Sequence, residues 1–239
     1  MKKRLDQRVV ELGLTQSRSQ AESYIKLGEV KVAGKVVTKP GFLVGENDKV
    51  EISAAEQYVS RAALKLASVA GSFKLDFKGK TVLDVGSSTG GFTDYALKHG
   101  ANKVIAVEVG TDQLHNSLRG NPKIELHEQT DIRDINELSQ KPDIVVADVS
   151  FISLRQILPH VAGLIGNKTL IVAMVKPQFE AGESSLKHKG VIKNDKMRRE
   201  ILKDFEGWAG LHFVVIDKAD SAVSGAKGNQ ERFYLLRKT

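Results

Sequence analysis

Thr81-Val-Leu-Asp-Val-Gly-Ser-Ser-Thr-Gly-Gly-Phe-Thr93 decides the fold. An apolar, β-rich run carries Asp84, turns through Gly86, Gly90 and Gly91, and enters a helical pattern. That is a strand–loop–helix junction at which a ligand touches the backbone, because glycines place no Cβ in its way. Amides exposed at the start of such a helix are suited to a carboxylate. The stretch does not contain the dinucleotide fingerprint Gly-x-Gly-x-x-Gly.

Strands and helices alternate outward from this junction, which implies βαβ units and a mainly parallel sheet. Strands are expected at residues 81–86, 103–109, 123–128, 143–149, 168–175, 211–217 and 232–237. Helices are expected at 60–70, 91–99, 111–118, 153–164 and 195–207. Residues 180–194, rich in Gly, Ser and Lys, read as a mobile loop beside the site. The most apolar run, Thr169-Leu-Ile-Val-Ala-Met-Val175, is too short to span a bilayer and suits a buried parallel strand.

Residues 1–53 read as a separate module, 54–59 as a polar linker and 60–239 as the larger domain. In the module, Arg4–Leu12 is a helical pattern stopped by Gly13, and Ser17 or Ser19 caps a second helix ending at Gly28. A hairpin follows through Ala33-Gly34, then a strand at Lys49–Ile52. The pattern Arg4-Leu-Asp6, Ser17-Arg-Ser-Gln-Ala21, Gly28-Glu-Val-Lys-Val32 and Lys39-Pro40 resembles an S4 RNA-binding domain. That resemblance turns the second helix and the hairpin toward RNA, with Arg4, Arg8, Arg18 and Lys31 on phosphates and Ser17 and Ser19 adding short hydrogen bonds. Charge does not carry this reading: residues 1–55 hold ten Lys and Arg against seven Asp and Glu.

The whole chain, 239 residues at a formal net charge of +7, suits a polyanion partner or simply a basic surface. It has no cysteine, which excludes disulfides, thiolate metal sites and cysteine nucleophiles. The N-terminus shows no signal-peptide pattern, and a cytoplasmic location is expected.

Acidic and basic residues recur at strand ends of the larger domain. Glu108 is placed for the ribose hydroxyls of a bound nucleoside, and Asp131 for an adenine amino group. Asp148 ends a buried strand, and Lys176 emerges directly from the most apolar one, where a lysine must be paired or used. Glu231 opens the last strand. The Asn/Asp-Pro-Pro-Tyr signature of amino-group methylation does not appear, and covalent pyrimidine chemistry lacks its cysteine. Both absences point to an oxygen acceptor.

The Asp84–Thr93 loop looks like the S-adenosylmethionine (SAM) loop of Rossmann-type methyltransferases. Together with Ser60-Arg-Ala-Ala-Leu-Lys-Leu66, Asp148-Val-Ser-Phe151, Lys176-Pro-Gln-Phe-Glu180, Lys189-Gly-Val191 and Lys227-Gly-Asn-Gln-Glu231, it makes the chain resemble the TlyA family. The resemblance implies an S4 domain joined to an FtsJ-like ribose methyltransferase domain with a mostly parallel seven-stranded sheet. It implies SAM as cofactor, held by Asp84, Gly86, Ser87, Gly90, Gly91, Phe92, Glu108, Asp131 and Asp148. It implies 2′-O-methylation of ribosomal RNA or ribosomal subunits, with cytidine as target, and a catalytic set Lys65, Asp148, Lys176 and Glu231. Lys176 would act as base or stabilise the alkoxide, the two acids would hold the two lysines, and Arg61 would contact RNA phosphate. No metal and no membrane enter this scheme. Two departures stand out. Glu56-Gln-Tyr-Val59 replaces a basic residue and a tryptophan common in relatives, and Glu108 stands where Asp is common. The competing expectations are a non-catalytic ribosome-assembly factor and a membrane-active hemolysin.

Overall fold

The computed structural model describes residues 2–15, 17–53, 58–181, 191–192, 194–225 and 228–239. Its N-terminal part runs β1 (Lys3–Arg4), α1 (Leu5–Glu11), α2 (Arg18–Lys26), β2 (Val30–Val32), β3 (Lys35–Val36), β4 (Leu43–Val44) and β5 (Val50–Ile52). Ser17 is the residue that caps α2, its hydroxyl accepting the Gln20 amide at 3.2 Å. The β2–β3 hairpin turns on Ala33 and Gly34, both at positive φ, the twist that a two-residue turn needs.

The larger part runs α3 (Arg61–Ala70), β6 (Thr81–Val85), α4 (Gly91–Lys98), β7 (Lys103–Val107), β8 (Ile124–His127) and β9 (Ile144–Ala147). It continues through α5 (Leu158–Leu164), β10 (Leu170–Val175), α6 (Pro177–Glu180), α7 (Asp195–His212), β11 (Phe213–Asp220) and β12 (Arg232–Lys238). The strands form one seven-stranded sheet in the order β11-β12-β10-β9-β6-β7-β8. Only the pairings of β12 are antiparallel. The chain leaves β6 toward β7 and β8, then returns to lay β9 on the other side of β6. That reversal opens a crevice at the carboxyl ends of β6 and β9, the place where open α/β sheets hold ligands. Apolar side chains cover both faces of the sheet: Leu83, Ile105, Val145 and Ile171 on one, Val82, Val104, Val146 and Val172 on the other.

The two parts share a core. Leu5, Tyr24 and Ile25 pack in one buried cluster with Leu64 of α3 and Val223. The linker ends in an anchor, since the Tyr58 carbonyl accepts Gln20 Nε2 at 2.9 Å and the Val59 amide donates to Asp94 of α4 at 2.9 Å.

One expected helix does not form. Residues 111–118 fold into successive turns, with Asp112 at φ 53°. Their amides go elsewhere: Glu128 accepts those of Gln113 and Leu114, and Arg119 takes the Leu114 carbonyl. The leucine spacing that suggested a helix serves packing instead, because Leu114 and Leu118 face Gly90. The helix expected at 153–164 is split into a 3-10 turn at Leu154–Gln156 and α5. α7 runs on to His212, so the strand expected from 211 starts at Phe213. Residues 182–190 and 193, most of the expected mobile loop, lie outside the described residues, as do 54–57 of the linker. Among the described residues no helix is long and apolar enough to cross a membrane.

Candidate active site

The opening glycines do three different jobs. Gly86 sits at φ 80° with its Cα face 2.9 Å, measured from an added Cβ, from the Asp148 carbonyl. Any side chain there would collide with the backbone that leaves β9. Gly90, at φ 86°, caps α4 and would strike Leu114 and Leu118. Gly91 faces α3, where a Cβ would collide with Ser60 Oγ and Ala62 Cβ. The loop therefore carries the crevice on one side and the start of α3 on the other.

A cavity of about 350 Å³ opens over Gly86 and is walled by Ser88, Glu108, Asp131, Asp148 and Phe151. Glu108 fixes the loop: its carboxylate accepts the Ser88 and Gly110 amides, each at 2.8 Å. Carboxylate oxygens accept more than one hydrogen bond, so it retains capacity for a ligand hydroxyl. Asp131 caps a 3-10 turn and is engaged by Arg133 at 3.0 and 2.7 Å, whose hydrogen bonds hold its carboxyl below the ordinary range.

Behind the loop lies Asp84, fully buried and bonded through one oxygen to the Thr93 hydroxyl at 2.6 Å. Burial pushes its carboxyl up to about 7, and the charges of Asp148 and Glu108 add to that. The second Asp84 oxygen and the Ser87 hydroxyl have no hydrogen-bond partner. Phe92 turns into the core beside Phe233, ring centroids 6.2 Å apart. Thus Gly86, Glu108, Asp131 and Asp148 are brought to the cavity itself, whereas Asp84, Ser87, Gly90, Gly91 and Phe92 are not among its walls.

A second cavity of about 310 Å³ adjoins the first, and the two share Ser150 and Phe151. Arg61, Lys65, Lys176, Gln178, Phe179 and Glu231 surround it. Lys176 Nζ stands 2.5 Å from Asp148 Oδ1 and donates to Ser150 Oγ at 2.8 Å. Lys65 Nζ stands 2.5 Å from Glu231 Oε2, both side chains almost wholly buried. The four residues expected as a catalytic set are therefore two lysine–carboxylate pairs at adjoining cavities. Each pair is neutral overall, which is what permits two ammonium groups to sit in a half-closed cleft.

Sequence reasoning missed the partners that hold this arrangement. Glu180 is buried and accepts the Ser153 hydroxyl at 2.6 Å and the Leu154 amide at 2.8 Å, clamping the 150–155 loop to α6. Phe151 has φ 66°, a conformation that costs a bulky residue energy, yet it is 91% exposed. Its ring lies 5.2 Å from that of Phe179. Both phenylalanines fall within the motifs that carry the family resemblance, but the exposure of Phe151 has no signature in a motif.

The residues expected to meet RNA are also placed unequally. Arg4 and Arg18 reach the surface, and Lys31 lies half-buried on β2. Arg8 is mostly covered and donates to the Glu46 carbonyl. Ser17 is used as the α2 cap, and Ser19 accepts a 2.6 Å hydrogen bond from Arg61. Arg61 thus joins the N-terminal module to the second cavity. Among the described residues no cluster of three His, Cys, Asp or Glu is arranged to hold a metal ion.

Comparison with known proteins agrees with this division of labour. The FtsJ-like methyltransferase family matches residues 58–238, and the S4 domain matches residues 3–50. Hemolysin A of Brachyspira hyodysenteriae is 38% identical over 232 residues, covering 95% of this chain and 97% of that protein. The 16S/23S rRNA (cytidine-2′-O)-methyltransferase TlyA of Mycobacterium tuberculosis is 36% identical over 239 residues, covering 98% and 89%. Among solved structures, a Streptococcus thermophilus chain named as a hemolysin superposes with a TM-score of 0.72 at 34% identity, over 100% of this chain and 89% of that one.

Proposed function

We propose that this chain, which belongs to the FtsJ-like methyltransferase family and carries an S4 domain ahead of the catalytic one, methylates a ribose 2′-hydroxyl of ribosomal RNA, with a cytidine as the target. SAM is the methyl donor in this reading. The first cavity suits it: Gly86 lines it with bare backbone, Glu108 presents a carboxylate for the ribose hydroxyls, and Asp84 and Ser87 carry unpaired polar atoms just behind the loop. When bound, SAM supplies a sulfonium-activated methyl group.

The observation that carries the reading is the position of the Lys176–Asp148 pair. Asp148 lines the first cavity and Lys176 the second, and their charged atoms meet at 2.5 Å across the seam. A ribose hydroxyl is a poor nucleophile until its proton is shared. As the free amine Lys176 would take that proton and become the ammonium; as the ammonium it would instead hydrogen-bond the alkoxide while the proton leaves to solvent. Asp148 balances the ammonium, and Ser150 keeps Nζ directed along the seam. The Lys65–Glu231 pair fixes α3 to β12 and so sets the width of the acceptor cleft. Alignment of oxygen and methyl carbon supplies most of the remaining rate, since positioning alone is worth about 7–11 kcal/mol in well-oriented reactions.

Phe151, exposed and backed by the half-buried Phe179, presents an aromatic surface at the same seam, suited to stacking the unpaired base whose ribose enters the cleft. The test is transfer of labelled methyl from SAM to ribosomal subunits, followed by mapping of 2′-O-methyl groups in their RNA. Label at a ribose 2′-oxygen is the expected result. Label in protein or in a base, or no label with either subunit, overturns the assignment.

A further inference from the structure

The first turn of α1 holds a buried charge that the methyl-transfer scheme does not use. Asp6 is fully buried. Its carboxylate receives two arginines at once: Arg4 through Nε at 3.1 Å and Nη2 at 2.9 Å, and Arg18 through Nε at 2.8 Å. Arg4 Nη2 and Arg18 Nε share one carboxylate oxygen, Asp6 Oδ2, so the two guanidinium groups stand side by side. Against the penalty of burial, these hydrogen bonds hold the Asp6 carboxyl below the ordinary aspartate range.

Both arginine side chains remain about half exposed, at 43% and 51%. The backbone fixes the assembly from the other side. The Leu5 and Asp6 amides donate to the Phe42 and Pro40 carbonyls, and Gly41 lies against the Arg4 guanidinium. Two long side chains, one just ahead of α1 and one in the first turn of α2, are thereby ordered before any ligand arrives. Glu22 Oε1 also stands 3.6 Å from Arg18 Nε, so two carboxylates hold the pair, and what faces solvent is the remaining N–H groups of two ordered guanidiniums.

We infer that Asp6 is a positioning residue for RNA binding, which holds Arg4 and Arg18 as a preformed fork for a backbone phosphate. A guanidinium bonded along one edge keeps its remaining N–H groups for a second acceptor, and phosphate oxygens match that geometry. Ordering both side chains in the free protein removes an entropy loss that binding would otherwise incur. The inference rests on the reading of the N-terminal module as the RNA-binding part.

Its test has two candidate outcomes of opposite sign. Asp6→Asn makes the chain one unit more positive, so bulk electrostatics predicts tighter RNA binding and a steeper salt dependence. Loss of the fork predicts the reverse: affinity for transcribed 23S ribosomal RNA falls about 10-fold and the salt slope shrinks by about one. SAM affinity of the full chain is expected to stay unchanged. Gly41→Ala gives a second route that leaves Asp6 in place. An added Cβ would lie 3.0 Å from Arg4 Nη1, at a position whose φ is not strained, and so displaces that guanidinium alone. It is expected to weaken RNA binding several-fold with normal thermal unfolding. Tighter or equal binding by Asp6→Asn, or no loss with Gly41→Ala if Asp6→Asn does not fold, overturns the inference while RNA binding by the parent chain stands. Failure of the parent chain to bind this RNA overturns both.

Discussion

Lys65 of α3 and Glu231 at the head of β12 meet at 2.5 Å, with side-chain exposures of 7% and 3%. They come from opposite ends of the catalytic domain, so the pair also closes it. Removing one partner strands the other as a buried charge, which typically destabilises by about 3–5 kcal/mol. Glu231→Gln and Lys65→Met are each expected to lose stability on that scale in urea unfolding. The double variant Lys65→Met/Glu231→Leu is expected to recover most of it while staying inactive in methyl transfer. Additive losses would show that the two residues do not act as a pair.

The other pair is expected to behave differently. Lys176 and Asp148 are less enclosed, at 10% and 16%, and Lys176 does not line the first cavity. Lys176→Ala should therefore bind SAM within about threefold of the parent. Proton transfer and alkoxide stabilisation by a positioned side chain contribute about 10²–10⁴-fold, so methyl transfer to ribosomal subunits should fall by that factor. Isothermal titration with SAM and single-turnover transfer separate the two quantities. Near-parental turnover in a folded Lys176→Ala would remove Lys176 from the mechanism.

Asp84 gives the protein a pH dependence that can be measured without RNA. Its carboxyl is raised from 3.8 to about 7, chiefly by burial. The folded state thus keeps a proton that the unfolded chain releases from about pH 4 upward. The stabilisation is complete below pH 4, declines as pH rises toward 7, and is absent above it, a span of about 4 kcal/mol. Asp84→Asn keeps an acceptor for the Thr93 hydroxyl and cannot ionise. Its unfolding free energy should lack this decline, so the difference between variant and parent should grow from pH 4.5 to pH 7.5. Parallel curves over that range would mean that Asp84 is ionised in the folded protein.

What the residues alone conveyed and what they withheld divide along physical lines. The strand–loop–helix at Thr81–Thr93 and the apolar strands were legible because burial on both faces imposes continuous Val, Ile and Leu runs. The pairing of Lys65 with Glu231 was not derivable from spacing, since it depends on β12 inserting beside β10. Gly91 illustrates a subtler limit. Its presence in the loop suggested room for a ligand, yet the space it leaves is taken by Ser60 and Ala62 at the start of α3. A sequence records that a Cβ is missing, not which neighbour needs the room. Residues 111–118 failed for a related reason: Leu114 and Leu118 have helical spacing, but the His115 amide, which a helix would turn back to Thr111, donates to the Thr89 carbonyl.

Phe151 offers the sharpest separation of stability from activity. A bulky side chain at φ 66° carries strain of about 1–3 kcal/mol, and this one is exposed, so no burial offsets it. Asparagine tolerates the left-handed region, and Phe151→Asn should leave the protein as stable as the parent or more stable by about 1 kcal/mol. Stacking of a base on an aromatic ring contributes about 1–3 kcal/mol, so the same change should lower kcat/KM for ribosomal subunits about 10-fold or more. Phe151→Leu retains the strain and loses the flat ring, and should be as poor an enzyme without the gain in stability. If Phe151→Asn methylates at the parental rate, the ring is not a stacking surface. If Phe151→Asn is instead the less stable protein, the backbone at 151 is held by contacts of the ring with Phe179, and its conformation reflects packing rather than a site kept under strain for RNA.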